Sequence, residues 1–122
     1  MKKKTFVRAQ DIYEIGGVAN EAYLIIEVTV EILHRDEEGT IILAELGPGE
    51  IFGEMALLEK TTRSVNARAK EETTVYAVSP TQFDALMGEL TEDAKHVLTA
   101  IMRRLRSMNE RLIALERQRK ES

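Results

Sequence analysis

From Thr5 to Ser79 apolar residues alternate with polar ones or form short runs, and no helical period lasts beyond a turn or two. This half reads as β-structure. The clearest strands are Tyr23 to Ile26, the strictly alternating Val28-Thr29-Val30-Glu31-Ile32, and Thr40 to Leu46, the last preceded by an Asp36-Glu37-Glu38-Gly39 hairpin turn. Gly16-Gly17 and Gly47-Pro48-Gly49 are further turns, and a second pair of strands is expected over Ser64 to Ala69 and Thr73 to Val78. Many short strands at this spacing favour a barrel or jelly roll.

Period and composition change together at Ser79-Pro80. Ser79 suits an N-cap and Pro80 the first helical turn; Phe83, Leu86 and Met87 fall on one face, and the helix should end near Gly88. Thr91 then caps a long helix that meets no Pro or Gly before the end of the chain. Its apolar positions alternate in steps of four and three. Leu98, Leu105 and Leu112 take heptad position a, and Ala94, Ile101, Met108 and Leu115 position d, a seam that predicts a parallel homodimer. A single amphipathic helix packed on its own barrel is the competing use of that pattern. Val97 and Met102 widen the stripe, as a helix touching both a barrel and a partner requires. The predicted class is mainly β with α: a jelly-roll or β-roll barrel with a short helix inside it, then a short helix and a long C-terminal dimerisation helix. The boundary falls between residues 1–90 and 91–122.

The 122-residue length suits one folded domain with a modest core, and the absence of cysteine excludes disulfides and thiolate chemistry. No apolar run approaches the roughly 20 residues of a membrane span, and no apolar block follows Lys2-Lys3-Lys4 as in a signal peptide. A soluble cytoplasmic protein without a membrane partner is expected. The net charge of −4 conceals an asymmetry, because residues 94–122 hold eight Lys or Arg against three Glu, +5, which leaves −9 elsewhere. A basic helix can meet nucleic acid, or it can simply be a solvated face.

Candidate chemistry is concentrated in Ile51-Phe52-Gly53-Glu54-Met55-Ala56-Leu57-Leu58 and Arg63-Ser64. A glycine opening a helical turn leaves amide hydrogens free for an anion, and the turn's dipole favours negative charge there. Arg63 adds a planar guanidinium suited to phosphate, and Ser64 a hydroxyl donor. Glu54 beside a phosphate needs a neutral partner, which a ribose hydroxyl provides. The alternative is an internal Glu54–Arg63 pair. His34 and His96 lack metal-ligand spacing and Glu37-Glu38 reads as a solvated turn. No nucleophile and base stand in a recognisable context, so neither a metal nor an enzymatic activity is expected.

Phe52 to Leu58 followed by Arg63-Ser64 resembles the phosphate-binding cassette, here residues 51–66, of cyclic nucleotide-binding domains of the catabolite activator type. Glu21 to Glu27 resembles that family's second core hairpin, Leu46-Gly47-Pro48-Gly49-Glu50 its turn into the cassette, and Val75 to Met87 its last strand and following helix. The resemblance implies cAMP as ligand, with cGMP as the alternative. It implies Glu54 on the ribose 2′-hydroxyl, and Arg63, Ser64 and the amides of Gly53, Glu54, Met55 and Ala56 on the cyclic phosphate. The base would be met from the long helix, where Met108 and Asn109 replace a Thr-Ser pair: Asn109 would hydrogen-bond the adenine edge, while Met108 could pack on its face but also sits on the seam, where packing is its more natural role. Ser64 beside the arginine leans towards cAMP, since threonine there accompanies cGMP preference.

The chain departs from the family pattern at Thr62, Val65, Asn66 and Val28, and at Val18-Ala19-Asn20. A regulatory sensor is the implied role. Two alternatives use the same fold: a dimerisation scaffold with a non-binding pocket, or the regulatory half of a transcription regulator that reaches DNA only through a missing helix-turn-helix domain or a partner.

Overall fold

The computed structural model describes residues 1–121, with side chains through Arg119; Lys120 and Glu121, counted in the basic tail, lie outside the described side chains. Eight strands form two antiparallel four-stranded sheets. In the first, β1 (Lys2–Phe6), β8 (Thr73–Val78), β3 (Ala22–Glu27) and β6 (Ile51–Phe52) lie side by side in that order; in the second the order is β2 (Asp11–Tyr13), β7 (Asn66–Ala69), β4 (Val30–Asp36) and β5 (Gly39–Leu46). Tyr23, Ile25, Val75 and Ala77 of the first sheet meet Val30, Ile32 and Ala67 of the second in one buried cluster. Each large side chain buried there contributes about 1.5–3 kcal/mol.

The expected hairpin is β4–β5. Asp36 pairs with Gly39 across the Glu37-Glu38 turn, and the Asp36 carboxylate accepts the Glu38 amide at 2.9 Å. Other pairings differ from the sequence expectation. Residues 64–69 and 73–78 contribute to opposite sheets rather than to one pair, and β3 pairs with β8 and β6 rather than forming a hairpin of its own. Alternation also misleads in β4, where a register shift between Ile32 and Leu33 buries Leu33 as well. Glu31 is buried on the nominally outer side, matched by its cross-strand partner Arg68 at 3.2 Å.

Val28, read as the start of a strand, lies outside β4 with φ 75°. A β-branched residue resists this left-handed conformation, which costs an L-residue about 1–2 kcal/mol. Val28→Gly is therefore expected to raise stability by roughly 0.5–1 kcal/mol after the extra chain entropy of glycine is deducted. Thermal denaturation should show a midpoint a few degrees higher, and an unchanged or lower midpoint would contradict the argument.

Between β6 and β7 stands α1 (Glu54–Glu59), and after β8 come α2 (Pro80–Gly88) and α3 (Glu92–Glu121). Ser79 caps α2 through a reciprocal pair with Gln82, and Phe83 is buried against Ala22, Leu57 and Val78. Met87 packs at the edge of that cluster, whereas Leu86, expected on the same face, is 53% exposed. The Thr91 hydroxyl accepts the Ala94 amide at 3.1 Å, the cap expected for α3.

Helix α3 touches the barrel on one side only. Met102 is buried, Arg106 reaches Glu59 of α1 at 2.8 Å, and Arg117 grips the hairpin through Asp36, Glu38 and His34. Part of the basic face is thus neutralised by the acidic turn that the sequence suggested was merely solvated. Burial and the Arg117 guanidinium lower the His34 pKa; the Asp36 carboxylate, already shared with Arg117, does not reverse this. Ile101, Leu105, Met108 and Leu115 remain about half exposed, along with Val97. Among the described residues no helix is long and apolar enough to cross a membrane.

Candidate functional site

A cavity of about 220 Å³ lies beneath α3, bordered by β6, α1, the segment after it and the inner faces of β4 and β5. Gly53, Glu54, Met55, Ala56, Arg63 and Ser64 all line it, so the cassette residues converge as expected. The aromatic Phe52 sets the approach. It is buried, stacked on Tyr23 at 5.1 Å between ring centres, and 6.1 Å from Tyr13. Gly53 follows with φ 80°, and a Cβ there would stand 2.9 Å from Arg63 Nη1. Glycine is thus required twice, for backbone conformation and for room beside the arginine.

Gly53 opens α1 with no side-chain cap; the Glu54 amide meets its own carboxylate, and the amides that follow it in the first turn are left available at the cavity. Six residues make too short a helix for a substantial macrodipole, so individual N–H donors, rather than the expected dipole, supply the attraction. Buried Ala56 and Leu57 fix the turn to the core, and Lys60 ends it in a left-handed conformation.

Arg63 is 3% exposed. Its Nη1 donates to the Gly53 carbonyl at 2.7 Å, its Nη2 to the Glu21 carbonyl, and its Nε has no protein acceptor. The Gly16-Gly17 turn holds its backbone on both sides: Arg63 N donates to Gly17 O at 3.0 Å, and Gly16 N donates to Arg63 O at 2.9 Å. That turn was legible in the sequence, but its partner was not. No ion pair joins Arg63 to Glu54 among the described residues, so the cation and the carboxylate face the cavity's polar end separately. Burial raises the Glu54 pKa, and its own amide and Arg63 only partly offset this.

The remaining wall is apolar, formed by Ile32, Ala44, Leu46 and Val65 with Leu105 from α3, and Asn109 of α3 adds one polar group. A cationic and amide-lined end, a lone carboxylate and an apolar wall suit a ligand with an anion, hydroxyls and a flat apolar part. Residues 3–89 match the model of the family described as the cyclic nucleotide-binding domain.

The chain belongs to this family. Over 106 residues the domain is 32% identical to the cyclic AMP receptor protein of Thermus thermophilus, covering 86% of this chain and 49% of that protein. The cAMP-bound form of the EAL enzyme Bd1971 superposes with a TM-score of 0.80 at 31% identity, over 96% of this chain and 32% of that one. Its cGMP-bound form gives 0.81 at 29% identity over the same shares. The domain thus spans about half the length of that curated relative and a third of the enzyme.

One expectation about this site needs correction. Met108, which the resemblance puts at the base and the heptad pattern on the seam, does not line the cavity and is 55% exposed. Leu105 and Asn109 stand one turn apart and face the barrel, which rotates Met108 away towards the seam. Asn66, one of the departures from the family pattern, lies outside the cavity too: it is buried, and its side chain accepts the Arg35 amide at 3.0 Å. Tyr13, Ile32, Ala44 and Leu46 were not legible as site residues in the sequence because each reads as ordinary strand core, and Val65, noted only as a departure from the family pattern, lines the cavity as well.

Glu54 yields a prediction with two signs. Its folded-state pKa lies above the unfolded value, so ionisation at neutral pH costs stability, and the cost fades as pH falls towards 4.5. Glu54→Gln should therefore melt higher than the native domain at pH 7, with the difference shrinking on acidification. Affinity for a cyclic nucleotide should meanwhile fall about tenfold or more, the worth of a hydrogen bond to a charged acceptor. Melts across pH 4–7 with a calorimetric titration test both; a destabilised Glu54→Gln at pH 7 would contradict the first.

Proposed function

We propose that the domain binds a cyclic nucleotide, cAMP ahead of cGMP, and passes occupancy to the arrangement of its C-terminal helix as a regulatory sensor in the cytoplasm. The observation that carries this is Arg63: a buried cation at the cavity, without a carboxylate partner among the described residues, beside uncapped amides. A buried charge is costly unless something pairs with it, and a bound phosphate fulfils that need. Glu54 takes the ribose 2′-hydroxyl, Ser64 assists at the phosphate, and the Asn109 amide offers both a donor and an acceptor to the base. Because every role so assigned is one of binding, the reading is of a sensor and not a catalyst.

The same helix that offers Leu105 and Asn109 to the ligand carries the exposed seam, for which a parallel homodimer is the proposed partner state. A ligand touching both barrel and helix favours the docked arrangement by its differential affinity, typically about 1–3 kcal/mol. Calorimetric titration of the native domain tests the reading. Saturable heat with one nucleotide per chain, tighter for cAMP than for cGMP, is expected. No heat with either nucleotide would overturn it.

A further inference from the structure

Two carbonyls hold the edges of the Arg63 guanidinium, but hydrogen bonds at the edges do not fix its tilt. That third constraint comes from Tyr13, whose ring centre lies 4.1 Å from Arg63 Cζ. Tyr13 ends β2, which hydrogen-bonds to β7 just beyond the cassette, and its ring is stacked on Tyr23 at 6.3 Å with 23° between planes. Its Cε2 also lies 3.3 Å from where a Gly53 Cβ would stand, so the ring packs against both the glycine opening and the arginine. Burial is the main cause of the raised Tyr13 pKa, so the ring stays neutral and its face remains the negative end of a quadrupole.

From this geometry we infer that Tyr13 is a positioning residue: it holds the Arg63 guanidinium flat against an aromatic shelf and thereby presets the cation for the anionic group of the ligand. The inference rests on the cyclic nucleotide reading. Without the shelf, the guanidinium is held, among the described residues, by the Gly53 and Glu21 carbonyls, and the head can tip about the line between them. Ligand binding then has to restore an orientation that the native domain holds in advance. The ring, not the hydroxyl, does this.

Tyr13→Phe and Tyr13→Ile separate the two parts of the side chain, isoleucine being an aliphatic residue suited to a strand. In a calorimetric titration with cAMP, Tyr13→Phe should stay within about threefold of the native affinity, while Tyr13→Ile loses on the order of tenfold, the scale of a desolvated cation–π contact. The ligand-free proteins give a second readout, since the ring should shift the Arg63 Nε–H resonance upfield in the native domain and in Tyr13→Phe, but not in Tyr13→Ile. Native affinity in Tyr13→Ile, or a loss in Tyr13→Phe equal to that in Tyr13→Ile, would overturn the inference alone. No binding by the native domain would overturn the cyclic nucleotide reading and this inference with it, whereas the ligand-free resonance reports on the shelf either way.

Discussion

Arg63→Ala is expected to lower affinity for cAMP by at least about 100-fold, which is nearly 3 kcal/mol at 1.4 kcal/mol per tenfold. Hydrogen bonds to a charged group are each worth about 1.5–3 kcal/mol, and a guanidinium fork offers two to a phosphate. No neighbouring cation lines the cavity to substitute. The effect on folding should be smaller, because opposing changes meet at this position. Removal relieves a buried cation without a carboxylate partner, yet leaves the Gly53 and Glu21 carbonyls without their donor and opens space under Tyr13. Arg63→Lys should fall between, keeping the charge but losing the planar fork. Titration and melting of the three proteins check this, and native affinity in Arg63→Ala would remove the phosphate from the cavity's cationic end.

The parts of the site that sequence made legible were those with a local cause. Gly53, Glu54 and Arg63 could be assigned because a glycine before a short apolar turn, a carboxylate and an arginine have few joint uses. Local signals also fixed the Ser79 cap, the Asp36–Gly39 hairpin and the Thr91 start of α3. Tyr13 could not be found this way. It lies 50 residues before Arg63 in the chain, and only the pairing of β2 with β7 brings it under the guanidinium. The same limit explains the strand partners: adjacent segments here commonly pass between sheets, so neighbours in sequence are not neighbours in hydrogen bonding. Met108 received two readings, the base by resemblance and the seam by its heptad position, and only the first is at odds with its place outside the cavity. A heptad pattern names which residues share a stripe, but it does not say which side of the stripe the barrel occupies.

Leu105 belongs to both groups, since it lines the cavity and is also 46% exposed on the seam side. Such a residue can couple the two surfaces, because displacing it changes the packing of either. A fair test of dimerisation must therefore leave Leu105 intact. Ile101 and Met108 serve better: both are d positions, 50% and 55% exposed, and neither lines the cavity.

The double variant Ile101→Asp, Met108→Asp should change a dimer of twice 13.8 kDa into a monomer at micromolar concentration, because each aspartate would be buried unpaired opposite its copy. Sedimentation measures this directly, and a native domain already sedimenting at 13.8 kDa would dispose of the seam as an interface. Ligand affinity gives the complementary test. If pairing of the helices stabilises the docked position of Leu105 and Asn109, the monomeric variant must bind cAMP more weakly, and linkage requires each bound cAMP to tighten the native dimer by that factor, so by its square when both chains are occupied. A monomeric variant with native affinity would leave the dimer in place but show that the helix reports to its partner without the cavity's help.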